Sequence, residues 1–133
     1  MSAKADPTDP SERLSDTLSS LPAICAQVSG AAVATSDGLA LAVTGELRGD
    51  EAAAAAVFLM DELEAHLGLI RQGRIREMLA WTERGHWYLT RVGDLPFVLV
   101  LGAEPASPAG LLRHAGQAII PELIPVLQGL DPF

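Results

Sequence analysis

Apolar and polar positions alternate in two different ways along this chain, and the change between them marks its elements. Residues 30–43 read Gly-Ala-Ala-Val-Ala-Thr-Ser-Asp-Gly-Leu-Ala-Leu-Ala-Val, two apolar arms around Asp37-Gly38. That pattern predicts a hairpin closed by a type I′ turn, whose central residues both need positive φ. Leu39, Leu41 and Val43 point to one side and Ala40 and Ala42 to the other, with Ala32 and Ala34 again small on the first arm. A sheet face paved with alanine admits a helix at close range, so a helix is expected there and bulkier packing opposite.

On either side the period lengthens to that of a helix. Asp9-Pro10-Ser11-Glu12 has the form of a capping box with proline at the first helical position, and Leu14, Leu18 and Leu21 follow at helical spacing up to Pro22. Residues 1–8 read as a disordered leader and 9–130 as a single domain. After the hairpin, Gly49-Asp50 supplies a break and an N-cap for a long helix over residues 51–67, ending near Gly68. Three strands follow, at residues 75–83, 86–92 and 97–101, the last with no polar residue on either face, as in a strand covered on both sides. Ser107-Pro108 opens a final helix with the stripe Leu111, Leu112, Ala115, Ile119, Leu123 and Val126. Pro121 and Pro125 lie away from that stripe, so this helix either bends through them or breaks at Ile120.

Hairpin neighbours pair strands 1-2, 3-4 and 4-5, and the first and fifth strands tolerate an edge least. Setting these two side by side gives the order 2-1-5-4-3. The fold class is therefore an α/β sandwich: a five-stranded, mainly antiparallel sheet with the long helix on one face and the terminal helices on the other.

Composition narrows the function. A net charge of −8, with one lysine and eight arginines, argues against nucleic acid, whose phosphates need clustered cations. The lone Cys25 forms no internal disulfide, which fits a reducing compartment, and as a small buried apolar residue it needs no further role. The polar start of the chain lacks the apolar core of a signal peptide, and the apolar run from Ala52 to Met60 is far short of the about 20 residues that span a bilayer. A cytoplasmic protein without membrane insertion is expected.

Together, Ser36-Asp37-Gly38-Leu39-Ala40-Leu41-Ala42, Ala52 to Ala56 at the head of the long helix and Ala109-Gly110-Leu111-Leu112 at the head of the last one resemble the roadblock (dynein light chain roadblock) domains, including their bacterial MglB-like branch. The resemblance runs from Arg13 to Leu123. It implies a homodimer with one sheet continuous across two subunits and a regulatory or scaffolding role toward Ras-like small GTPases, a GTPase-activating role among them. It carries no catalytic residue and no GTPase contact onto a particular position.

The residues themselves offer two surfaces for such partners. On the long helix, Ala52, Ala56, Leu59, Met60, Leu63, Leu67 and Ile70 form a stripe expected to face the sheet. The opposite side holds Asp50, Glu51, Asp61, Glu62 and Glu64 with no basic residue, and Ala54, Val57, Phe58 and Ala65 fall among them. Leaving Phe58 in water forgoes about 2 kcal/mol of burial, so Ala54, Val57, Phe58, Asp61, Glu62 and Ala65 are assigned to a dimer or partner interface. The third strand, placed at the sheet edge, offers Met78, Ala80 and Trp81 without the lysines, prolines or bulges that guard free edges. Strand-to-strand pairing explains that edge, whereas packing of Trp81 under a helix explains only the side chain. Arg71, Arg74, Arg76, Arg84 and Arg91 gather beyond the acidic helix.

No pattern for chemistry is present. There is no Gly-x-x-x-x-Gly-Lys phosphate loop, and His66, His86 and His114 lack metal-ligand spacing, so no cofactor, metal or enzymatic activity is expected. His66 suits the C-terminal end of the helix dipole. Arg84 in the Glu83-Arg84-Gly85-His86 turn is a candidate arginine finger, although turn arginines are more often simply solvated. The leading expectation is a non-enzymatic, homodimeric regulator or scaffold of a small GTPase. Its rivals are a small-ligand sensor of PAS or profilin-like type, which needs polar groups converging in a cavity, and a purely structural dimerisation subunit.

Overall fold

The computed structural model describes residues 9–130, so the expected leader, residues 1–8, lies outside the described part. Its elements are α1 (Pro10–Leu18), α2 (Leu21–Ile24), β1 (Val28–Thr35), β2 (Ala40–Gly45), α3 (Gly49–Gly68), β3 (Glu77–Thr82), β4 (Gly85–Arg91), β5 (Phe97–Ala103) and α4 (Ala109–Gln128). The sheet has the order β2-β1-β5-β4-β3, with every neighbouring pair antiparallel. All seven residues of β5 are buried, as a strand covered on both faces must be. Among the described residues no helix is long and apolar enough to cross a membrane.

Two cores flank the sheet. The larger joins Leu14 and Leu18 of α1, Leu21 of α2 and Leu112, Ala115, Ile119, Leu123 and Leu127 of α4 to Val33, Tyr88, Leu99 and Leu101. On the other face Ala32, Ala34 and Ala40 receive Ala53, Ala56, Val57 and Met60 of α3, so the alanine-paved face carries the long helix. α1 starts as its sequence dictates: the Asp9 side chain accepts the Ser11 N–H at 3.0 Å, with Pro10 at the first position. α4 runs unbroken through Pro121 and Pro125, both on its exposed side. Leu111, expected in its buried stripe, is 39% exposed.

Local geometry departs from expectation at three points. The hairpin turn is not type I′, because Asp37 keeps negative φ and only Gly38, at φ 85°, is left-handed. Thr35 C=O accepts the Gly38 N–H, and Thr35 N–H donates to Leu39 C=O, both at 2.9 Å. These bonds enclose three residues, the arrangement of a turn followed by a bulge. The register then slips between Val33 and Ala34, so Leu41 has no partner across the ladder. A bulge re-aims the side chains beyond it: Ala40 stays on the α3 face, Ala42 joins the opposite core with Leu41, and Val43 comes opposite Ala32, on the α3 side. Finally, α3 begins at Gly49, so Asp50 lies in its first turn and is not its cap.

Candidate functional site

α3 is rotated from the face its apolar stripe suggested. Ala53, Ala56, Val57 and Met60 are its buried residues, whereas Leu59, Leu63 and Ile70, expected against the sheet, are exposed and Ala52 is half-buried. The buried side is the one on which the small Ala53, Ala56 and Val57, with Met60, pack together with Ala32 and Ala34 of the sheet. Val57 is thereby removed from the candidate interface. Ala54, Phe58, Asp61, Glu62 and Ala65 remain exposed, with Phe58 at 67%.

Glu64 also leaves the acidic side. It is paired with Arg91, accepts the Ile75 N–H at 2.7 Å, and Arg91 Nε donates to Ile75 C=O at 2.7 Å. This knot ties the end of α3 to β4 and to the segment entering β3. A second network fixes β3 to α4: Arg113 donates to both oxygens of Glu77 at 2.7 and 3.0 Å, the Tyr88 hydroxyl donates to Glu77 at 2.7 Å, and Gln117 donates to the Tyr88 oxygen at 2.7 Å. Burial, then the Glu77 carboxylate, pushes the Tyr88 phenol up.

The two carboxyls make stability pH-dependent. Burial works against the charged form of Glu64, but the hydrogen bonds from Arg91 and Ile75 and the charges of Arg91 and Arg74 outweigh it and hold the carboxyl low. Hydrogen bonds from Arg113 and then Tyr88 do the same for Glu77. A depressed carboxyl stabilises the fold fully above its ordinary range and loses that contribution as pH falls through the folded value. The melting temperature should therefore drop below about pH 5, and Glu64→Gln with Glu77→Gln should lower it at neutral pH while flattening the acid limb in calorimetry.

With α3 over β1, β2 and β5, the same face of β4 and β3 is left uncovered. Between them runs a groove of about 630 Å³, walled by Ala52, Ala55 and Leu59 of α3 and floored by Met78, Ala80, Trp87 and Leu89, with Arg48 and Arg84 also lining it. Met78 and Ala80 face this groove, half-buried. Trp81 lies on the opposite face, 66% exposed and edge-on to His86, the ring centroids 6.1 Å apart. His86 is buried, and among the described residues its Nδ1 has no hydrogen-bond partner. Strand alternation thus separates the three residues that the sequence grouped as one edge patch.

The sheet ends in two unlike edges. β2 is interrupted by the bulge at Leu41, whereas β3 forms a regular six-residue ladder with β4 and has no bulge, lysine or proline on its free side. Arg84 is exposed in the adjoining turn, and among the described residues no group of three or more His, Cys, Asp or Glu is placed to hold a metal. Sequence reasoning missed Leu59, Leu63 and Trp87 as surface-forming residues. From Ala52 to Met60 every residue of α3 is apolar, so helical period alone does not say which side is buried.

A helix-covered antiparallel sheet in the order 2-1-5-4-3, with the long helix after the first hairpin, is the roadblock/LC7 fold, and this chain has it. It resembles a roadblock/LC7 domain from Streptomyces avermitilis at 19% identity, over 86% of this chain and 97% of that one, with a TM-score of 0.74. The gliding protein MglB of Thermus thermophilus is similar at 20% identity over 91% and 93%, TM-score 0.77. An MglB structure with a tetrameric arrangement is similar at 20% over 91% and 92%, TM-score 0.78. No family model matches the sequence, and neither does any curated protein.

Proposed function

We propose that the chain is a non-enzymatic, homodimeric docking module that regulates or scaffolds a Ras-like small GTPase. Two copies join through the β3 edge and the groove beside α3, extending the sheet and filling the groove with the facing wall of the second copy's helix. The observation that carries this reading is the regular, unguarded β3 ladder bordering an apolar groove, since edge and groove are satisfied together by one symmetric partner. The tetrameric arrangement of one structural neighbour supports a self-associating surface on this fold.

The GTPase site follows from the surface such a dimer leaves open. Phe58 projects about 100° around the helix from Leu59, away from the groove, and stands among Glu51, Asp61 and Glu62. An apolar centre with an acidic rim fits a partner with basic residues around a hydrophobic patch. Regulation then comes from binding one arrangement of the partner's switch segments more tightly than another. A metabolite sensor would need polar groups converging in the groove; its wall and floor are mainly alanine, leucine, methionine and tryptophan, and Glu46, Arg48, Glu51, Thr82 and Arg84 also line it.

The test is binding of Ras-like GTPases from the source cell, in GDP and GTP forms, to wild type and Phe58→Asp. The variant should weaken binding by about 30-fold, the effect of a roughly 2 kcal/mol anchor, while the dimer mass stays unchanged. Failure of wild type to bind either nucleotide form, or full affinity in the variant, would overturn the GTPase reading.

A further inference from the structure

The segment joining α3 to β3 differs in charge from the rest of the chain. In a protein of net charge −8, three of the nine lysines and arginines, Arg71, Arg74 and Arg76, fall close together, and no acid lies between Glu64 and Glu77. All three arginines are exposed. The flanking carboxylates are already engaged, Glu64 by Arg91 and Glu77 by Arg113, and among the described residues no ion pair takes Arg71, Arg74 or Arg76. Immediately before them stand Leu69 and Ile70, 83% and 63% exposed.

Hydrogen bonds hold this segment in one shape. The Gln72 N–H donates to Leu67 C=O and the Arg71 N–H to Gly68 C=O, both at 3.1 Å, the paired bonds that close a helix end around a left-handed residue. That residue is Arg71, at φ 59°, where glycine is usual and a side chain adds strain. Beyond it Ile75 is buried and bound at both its N–H and its C=O, by Glu64 and Arg91. The turn is also convex: a Cβ added at Gly68 or Gly73 would meet nothing within 4 Å, and no residue of 65–76 lines the groove. An acidic polypeptide needs a groove or a strand edge to lie in. A convex apolar tip backed by cations suits instead a surface that yields around it.

We infer that this turn docks the protein on an anionic phospholipid surface, with Leu69 and Ile70 seated among the headgroups and Arg71, Arg74 and Arg76 on the phosphates. Such a contact adds apolar burial to electrostatic attraction, and neither needs a spanning helix. Because the backbone is already fixed, little conformational freedom is lost on binding. The acids of α3 oppose the attraction only weakly: Glu62 lies about 10 Å from Leu69 along the helix, about one screening length at moderate salt. The negative charge of the remaining chain turns it away from the lipid, so the bound protein is oriented with the turn downward. The turn lies outside the groove and a distance along the chain from Phe58, so docking here depends on neither the dimer nor the GTPase.

Co-sedimentation with lipid vesicles tests the turn. Wild type should bind phosphatidylglycerol vesicles at low salt, leave them at high salt, and bind pure phosphatidylcholine vesicles about 100-fold more weakly, as three arginines at the lipid surface require. Arg74→Gln with Arg76→Gln should lower the partition coefficient by about 25-fold, roughly fivefold for each charge. Arg71→Gly should lower it by about fivefold and yet raise the melting temperature by a few degrees, because the lost cation and the relieved left-handed strain act in opposite directions. Leu69→Trp should be quenched by lipids brominated in their acyl chains, whereas Trp81 and Trp87 of the wild type should not. In the Leu59→Asp background the same losses read the turn of a single copy, so failure of the dimer and failure of the turn show separately. The inference is overturned if wild type binds phosphatidylglycerol no better than phosphatidylcholine, if the arginine variants bind like wild type, or if Leu69→Trp is quenched no more than wild type. Binding to polyglutamate in place of vesicles, lost in the arginine variants, equally overturns it and assigns the turn to an acidic polypeptide.

Discussion

Gly45→Ala is expected to destabilise the protein by about 3–5 kcal/mol, lowering the melting temperature by roughly 10–20 °C. Gly45 ends β2 at φ 76°, a left-handed conformation that a side chain makes costly by about 1–2 kcal/mol. Steric contact costs more. A Cβ there would lie 2.3 Å from the Ser29 carbonyl oxygen and 2.7 Å from the Gly30 Cα, both backbone atoms of the facing strand. Those atoms are held by the ladder itself: Gly30 pairs with Gly45, and Glu46 N–H donates to the same Ser29 carbonyl at 2.9 Å. Relief would require opening the first hairpin where the chain leaves it for α3. Gly73→Ala separates backbone strain from contact, because Gly73 has φ 80° and nothing within 4 Å of its added Cβ. It should cost only the conformational part, about 1 kcal/mol. Equal losses in thermal melts would show that the Ser29–Gly30 contact relaxes freely.

This position illustrates what the sequence reveals and what it conceals. The hairpin, the strand order and the burial of β5 are legible because apolar runs, turn residues and edge tolerance are local or nearly so. Strand alternation beyond Ala40 is not, because the bulge at Leu41 is a pairing event between two strands and leaves no mark in composition. The rotation of α3 is concealed for another reason. A helix apolar around most of its first half is positioned by the small side chains of the sheet beneath it, and only the fit of Ala53, Ala56 and Val57 against Ala32 and Ala34 selects the buried side. Phe58 is legible as exposed because it falls opposite that fit under either rotation. Glu64 is not legible as an inner residue, since its partner Arg91 lies 27 residues away in sequence. Trp81 is legible as lying on the edge strand, but the face it takes follows from its pairing opposite His86.

The sharpest contrast is between neighbouring residues of one helix. Leu59→Asp should raise the dimer dissociation constant by about 100-fold or more, as loss of a buried aliphatic anchor with a charge left in its place requires. Leu59 is 45% exposed in the protomer, so the substitution should change the intrinsic stability of a single copy by only about 0.5 kcal/mol. The two effects separate in thermal melts. Wild type, stabilised by its second copy, should melt at a temperature that rises with protein concentration, and Leu59→Asp should not. Met78→Asp, on the groove floor contributed by β3, should act in the same direction. If one interface uses helix wall and strand edge together, the two substitutions disturb the same contact, and the double variant should lose less than the sum of the single losses. Additive losses would instead indicate two separate contacts, and an unchanged mass for Leu59→Asp would remove the groove from the dimer. Phe58→Asp, one residue away and turned about 100° from it, should leave dimer mass and concentration dependence as in wild type, because its side chain meets the partner protein and not the groove.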